Sequence, residues 1–267
     1  MRVFFSILIF ISGLAKTASA QYYYQDVLAS KKTSQNFATF KAANIKRMAA
    51  TSFEKDGTET ENFSIAQLIN QRDQTLTTIT KSNFTGSYTM LTYFDPNNRV
   101  KQVVDSGVNI VNKTSYEHNA KGQLLAINTI SFEPSDTNRY SVTEQRRYLW
   151  NANKQISAAT VVKNGVDTTK IEFVYDPGSS NPALERWYRA GKKIETWYYY
   201  YDDAGRLTDV VRYNATAKRM LPDYVFEYNE KGQLVKQTIV LPGSNFYRNT
   251  VFEYNAQGLK TAESIFY

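Results

Sequence analysis

The chain has 267 residues, with 32 Lys and Arg against 25 Asp and Glu, one histidine and no cysteine. Without cysteine there is no disulfide, no thiolate metal site, no cysteine nucleophile and no lipid-modified cysteine, and one histidine leaves a transition-metal site almost without ligands. The 20 Tyr and 15 Phe, with frequent Thr and Val, are residues of β-strands.

The chain opens on a targeting signal. Arg2 supplies the positive charge, Val3 to Leu14 is a mostly apolar run, and Ala18-Ser19-Ala20 is a small-x-small cleavage site. The run is shorter than the roughly 20 residues that span a bilayer. Residues 1–20 are therefore expected to be removed after Ala20, and the mature chain, beginning at Gln21, to be exported to the periplasm, cell surface or medium. Loss of Arg2 and Lys16 leaves a net charge of +5. The charges are scattered, which is the pattern of a solvated basic surface and not of a nucleic-acid site.

Residues 21–43 are polar. Val27, Leu28, Phe37 and Phe40 stand loosely at helical spacing after Asp26. Two readings stay open here: a short helix capping the first sheet edge, or an arm without structure. From residue 44 to 267 the chain reads as one domain of repeated hairpins, with strand-like pieces around Asp56-Gly57 coming first.

The repeat is Tyr-Asp-x-x-Gly-Arg-Leu. Weak copies begin at Phe94, His118, Trp150 and Tyr175, and a decayed one surrounds Ile69-Asn70. Full copies begin at Tyr201 and Tyr228, with a closing one at Tyr254. The slots at 94, 118, 150, 175, 201, 228 and 254 are 24, 32, 25, 26, 27 and 26 residues apart. Asp or Asn suits the first position of a type I turn, because its side chain bonds the backbone ahead. Glycine then takes the positive φ of a bulge as the chain re-enters a strand. The turn residues are Asp202, Gly205, Asn229, Gly232, Asn255 and Gly258. Asn98 is the next-best residue for the glycine position, while Lys154 makes its turn either strained or differently shaped.

Half a period away lies a second set of turns, including Asn164-Gly165 and Ala190-Gly191. Each repeat is therefore a hairpin, and the chain an antiparallel meander. A two-residue loop at Ala190-Gly191 predicts that Arg189 faces Lys192, Trp187 faces Ile194, Arg186 faces Glu195 and Leu184 faces Trp197. The slot tyrosines are expected to form a packed aromatic row across successive hairpins.

This pattern resembles that of the YD-repeat, or Rhs-type, proteins, over roughly Leu68 to Tyr267. The resemblance implies an all-β fold of about seven or eight hairpins in an extended, twisted or spiralling antiparallel sheet, and a cell-surface or envelope setting. Large members wind such repeats into a shell around a toxin cargo, and this chain is too short to close one.

No phosphate-binding loop, dinucleotide motif or nucleophile elbow occurs. The lone His118 fills an aromatic slot, and Asp202-Asp203 sit in a turn that already explains the first of them. The expectation is a non-catalytic binding or structural module with no cofactor, no metal and no catalytic residue, whose partner is a cell-surface carbohydrate or protein. Trp187, Trp197 and Tyr199 fall off the repeat period and are the candidate ligand-facing aromatics. Two alternatives carry weight. An outer-membrane barrel is permitted by the hairpins and the terminal aromatic, although Glu144-Gln145-Arg146-Arg147 would put charge into lipid. A glycan-degrading enzyme could draw paired carboxylates from distant positions.

Overall fold

A computed structural model describes residues 22–83, 86–107, 109–137, 140–240 and 246–266. The expected signal peptide and its cleavage site lie outside the described residues. The fold is all-β and antiparallel, with seventeen strands among the described residues and a single helix near the N-terminus. The chain divides into two compact units, residues 23–171 and residues 172–267 together with the segment ending at Tyr22. The division falls inside the stretch expected to be one repeat domain, and it places the helix with the first half.

In the first unit, helix α1 (Tyr24–Ala42) precedes strand β1 (Arg47–Ala50) and a meander of consecutive antiparallel neighbours. These are β2 (Ser64–Asn70), β3 (Thr75–Ser82), β4 (Gly86–Phe94), β5 (Val100–Ser106), β6 (Val111–His118), β7 (Leu124–Phe132), β8 (Ser141–Trp150) and β9 (Ile156–Lys163). β1 pairs with β2. β10 (Asp167–Val174) runs across the division. The second unit continues with β11 (Leu184–Arg189), β12 (Lys192–Tyr201), β13 (Leu207–Asn214), β14 (Arg219–Tyr228), β15 (Leu234–Val240), β16 (Tyr247–Tyr254) and β17 (Lys260–Phe266), each paired antiparallel with the next.

The repeat is visible in the register. Pairing shifts by one residue immediately before Phe94, His118, Trp150, Tyr201, Tyr228 and Tyr254. The slot aromatic thus marks a β-bulge each time, the one that a type I turn followed by a left-handed residue requires.

Helix α1 does not cap a sheet edge. It lies on one face of the first meander. Its buried and half-buried positions Val27, Ser30, Ser34, Phe37 and Lys41 step by three and four, so they form one stripe. Phe37 is 0% exposed and stacks on Phe94 with ring centroids 3.8 Å apart. Ile69, Leu76 and Val100 complete that core, and Phe40, Ile45, Met48, Val103 and Tyr116 pack around it. The helix ends in a Schellman motif. Asn44 sits at φ 53°, its N–H donates to the carbonyl of Lys41, and the Ile45 N–H donates to that of Phe40.

The hairpin at Ala190-Gly191 departs from the expected register. Arg189 does face Lys192, but a bulge between Trp187 and Tyr188 shifts the rest: Trp187 pairs with Glu195, Arg186 with Thr196, Glu185 with Trp197 and Leu184 with Tyr198. The slip changes which side chains share a face, because side chains alternate along a strand. Trp187 and Trp197 now lie on one face, with ring centroids 5.9 Å apart. Burying two indoles together outweighs the three cross-strand pairs that the shift gives up.

Candidate functional site

The repeat turns are built alike. In the turn after Tyr201, the Asp202 N–H donates to the Arg206 carbonyl and the Gly205 N–H to the Asp202 carbonyl, at 3.0 and 2.8 Å. Asp202 Oδ1 accepts from the N–H groups of Ala204 and Arg206. Asn229 and Asn255 repeat this with Gln233 and with Gln257 and Leu259. Gly205, Gly232 and Gly258 have φ of 72°, 76° and 78°. Glycine is needed there for a second reason. A β-carbon on Gly232 would stand 3.3 Å from Arg206 Nη1, and one on Gly258 would stand 3.3 Å from Gln233 Nε2. The last side chain of one turn lies over the glycine of the next. Lys154 adopts φ 63° in a turn with the same backbone bonds, so this lysine is strained rather than differently folded.

In five of the turns Asp is matched to Arg four residues on, or Asn to Gln; Asn255 has Leu259 there instead. Arg99 Nε donates to Asp95 Oδ2 and Arg206 Nε to Asp202 Oδ2, both at 2.6 Å. Asn119, Asn151 and Asn229 instead donate Nδ2 to the Oε1 of Gln123, Gln155 and Gln233. The two arginines also reach the following repeat, donating to the carbonyls of Asn119 and Asn229. Burial works against ionisation of Asp95, but the bonds and charge of Arg99 outweigh it and hold the carboxyl below its ordinary range.

The slot tyrosines are half-buried, and what recurs among them is a hydroxyl bond. Tyr228 donates to the Leu207 carbonyl and Tyr254 to the Leu234 carbonyl, at 2.9 and 2.8 Å. Tyr201 donates to Pro182, and the indole of Trp150 to Leu124. The Arg206 guanidinium sits 5.0 Å over the Tyr228 ring. Tyr228, Tyr254 and Trp150 therefore tie their repeats to the first residue of the strand after the preceding turn, and Tyr201 to the loop before β11. His118 occupies a slot too. Its burial comes first and the nearby Arg99 second in holding its imidazole below the ordinary pKa, which keeps it neutral.

Trp187, Trp197 and Tyr199 are brought together in the second unit, but inside it, at 8%, 0% and 5% exposure. Tyr22 fills the space among them. Its ring centroid lies 5.9 Å from that of Trp197, 5.6 Å from Tyr199 and 5.4 Å from Tyr224. Glu185 is fully buried beside them and accepts a bond from Trp187 Nε1 at 2.7 Å. Burial, and then the Glu185 charge, push the Tyr199 hydroxyl well above its ordinary pKa. Arg212 covers the Trp197 ring at 4.8 Å while bonding Asp223 through two nitrogens at 2.9 Å. A ligand ring has no open aromatic to stack on here, since the chain's own Tyr22 takes that place.

The densest group of charges in the first unit holds the helix. Arg146 on β8 bonds Asp26 of α1 at 2.7 Å and also pairs with Glu144, while the Tyr148 hydroxyl bonds the other Asp26 oxygen. Lys163 adds a contact to Glu144 at 3.2 Å. Burial opposes ionisation of Glu144, yet Arg146 and then Lys163 outweigh it and lower its pKa. The Tyr116 hydroxyl is pushed up to about 12, first by burial and then by Asp26. Asp26 in the first helical turn also complements the helix dipole.

No family model matches the chain, and no curated protein matches it. A chain of the Tc holotoxin pore of Photorhabdus luminescens aligns over 82% of this chain and 17% of its own, at 11% identity and a TM-score of 0.29. A TcdB2–TccC3 crystal structure aligns over 86% of this chain and 16% of its own, at 10% identity and a TM-score of 0.29. A porin-like protein from Bacteroides uniformis aligns over 82% of this chain and 94% of its own, at 9% identity and a TM-score of 0.39. The chain spans about a sixth of the length of the toxin chains it matches. Likeness at these scores bears on neither the family nor the activity of this protein.

Among the described residues, no three His, Asp or Glu side chains are placed to hold a metal ion. The sequence reading missed three features: the Asp–Arg and Asn–Gln matching, the buried Glu185, and the Arg146 cluster. Only the first had a signal available. In five of the six turns the residue four after the Asx is Arg where the Asx is Asp and Gln where it is Asn.

Proposed function

We propose that this protein is a non-catalytic, exported module of the cell envelope or cell surface, made of YD-type hairpin repeats and serving as a binding or structural element. One observation supports the reading above the others: the residues that recur with the repeat are spent on bonds within their own turns and to neighbouring repeats. The Asx oxygens bond their own turns, the turn arginines reach the next turn, and the slot hydroxyls bond the preceding repeat. The Arg146 cluster, which has the charge density of an active site, is spent on docking α1. In this reading the partner is a cell-surface carbohydrate or protein, and neither nucleic acid nor a cofactor takes part. No helix among the described residues is long and apolar enough to cross a membrane.

Two experiments test it. Fractionation of the native host, followed by a carbonate wash, should release the protein from membranes as a chain beginning at Gln21. Retention in the outer-membrane pellet would favour a barrel, and Met1 on the folded protein would defeat export through signal cleavage. Incubation with purified polysaccharides should yield no fragments, and any turnover would make the protein an enzyme.

A further inference from the structure

The face of the first meander opposite α1 carries a row of side chains with fixed orientation. Across β6, β7, β8 and β9 the register sets Ser115 beside Asn128, Asn128 beside Gln145, and Gln145 beside Val162. These residues alternate with Ile127, Arg146 and Val161, which occupy the helix side. Arg147 Nε donates to Gln145 Oε1 at 3.0 Å, Gln145 Nε2 donates to Asn128 Oδ1 at 2.8 Å, and Asn128 Nδ2 donates to Glu117 Oε1 at 3.0 Å. The chain runs from a cation to an anion, so neither amide is free to flip. After these bonds each amide keeps one N–H and one oxygen lone pair to offer. The row borders an open depression of about 490 Å3, whose lining includes Lys113, Ser115, Asn128, Ile130, Thr143 and Gln145.

We infer that this face binds a neutral oligosaccharide, seated on Asn128 and Gln145. A sugar needs donors and acceptors close together and already oriented, because each of its hydroxyls does both jobs. The two amides and the hydroxyls of Ser115 and Thr143 supply that mixture, and the charged ends of the row hold it still before the ligand arrives. Ile130, 36% exposed, gives an apolar spot for the C–H face of a ring. The volume lies within the roughly 300–1,000 Å3 of small-ligand sites. An anionic ligand would call for clustered arginines, whereas Arg147 here is offset by Glu117 and only Lys113 is left over. A protein partner would call for aromatic anchors in a desolvated centre, and no aromatic side chain lines this depression, whose apolar residues are Ile130 and Val162.

The inference rests on the binding-module reading and names a ligand class for it. The test uses the mature chain against a panel of cello-, xylo-, malto-, laminari- and N-acetylchito-hexaose, with heparin and polygalacturonate as polyanions. Calorimetry should find saturable binding of at least one neutral hexasaccharide, weakened at least tenfold by Asn128→Leu and by Gln145→Leu and unchanged by Tyr200→Ala in the other unit. Ser115→Ala reads the same row if either larger change upsets folding, which melting curves would reveal. Absence of binding to every neutral sugar, binding indifferent to the row variants, or a preference for polyanions that requires Lys113 would each overturn the inference. Chromatography of the incubated sugars keeps the two readings apart. Fragments would overturn the non-catalytic reading and leave the binding result standing, whereas failure to bind would leave that reading untouched.

Discussion

At five of the repeat turns, one side chain is answered by another four residues on. An Asp oxygen needs a donor, and Arg99 and Arg206 supply it. An Asn amide offers a donor, and Gln123, Gln155 and Gln233 accept it. Either single exchange in the first pair should therefore mismatch. Asp95→Asn or Arg99→Gln alone is expected to cost more than the two together, with a coupling of about 0.5–1 kcal/mol in a double-mutant cycle. Additive single costs in urea melts would show that the matching has no energetic content. The slot hydroxyl has its own test. Tyr228→Phe keeps the ring and removes the bond to the Leu207 carbonyl, and it should cost about 1 kcal/mol. Tyr228→Phe melting like wild type would mean that water replaces the bond without loss.

Strand and turn elements were largely legible in the sequence, because the period of the turn residues places them without any knowledge of the core. The bulges came with the turns, since a left-handed residue before the strand forces one. The helix was less legible. Its packing stripe contains Ser30, Ser34 and Lys41, so apolar periodicity hardly marks it. Those polar residues are placed by partners far along the chain: the Val100 N–H donates to Ser34 Oγ, and Lys41 Nζ donates to the side chains of Asn98 and Gln74. The Trp187 register failed for a similar reason, as local pairing favoured one alignment and burial of both indoles selected another. Two element-scale outcomes are expected. Phe37→Ala should destabilise the first unit by about 3–5 kcal/mol, because it empties the centre of the helix–sheet contact; a loss below 1 kcal/mol in denaturant titration would mean the helix is dispensable. Ala190, held at φ 48° beside Gly191, is the wrong residue for a turn with two left-handed positions. Ala190→Asn should stabilise by roughly 0.5–1 kcal/mol, and a lowered melting temperature would refute the strain.

Over the whole molecule, the carboxylates with resolved shifts lean one way. Asp56, Asp95, Glu144 and Asp202 all have folded pKa values below their ordinary ones. A depressed carboxyl contributes stability that is present above the unfolded value, near 4, and is lost as pH falls through the lower folded value. Asp105 is the exception, raised first by its burial, so it disfavours the folded state once ionised. Stability measured by chemical denaturation should therefore hold from neutral pH down to about 5 and decline below about 4. Asp105→Asn should raise the neutral-pH plateau, and a flat acid limb would contradict the assignment of the four lowered groups. The candidate site was the least legible level. Aromatics outside the repeat stood out in the sequence and were gathered indoors, whereas Asn128 and Gln145 are ordinary strand residues until the register sets them side by side.

The bond between Asp26 and Arg146 joins residues 120 apart in the chain. A chain made N-terminus first must deliver seven intervening strands, β1 to β7, before β8 offers its arginine. Hairpins close locally in microseconds, but a contact that ties up so long a loop comes late. The Asp26 end of helix α1 must therefore stay solvated until β8 arrives, whereas Phe37 can dock against Phe94 and Val100 once β5 is in place. Refolding followed by a probe on the Asp26 end of α1 should lag behind strand formation followed by circular dichroism. Simultaneous traces would place that end in the folding nucleus instead.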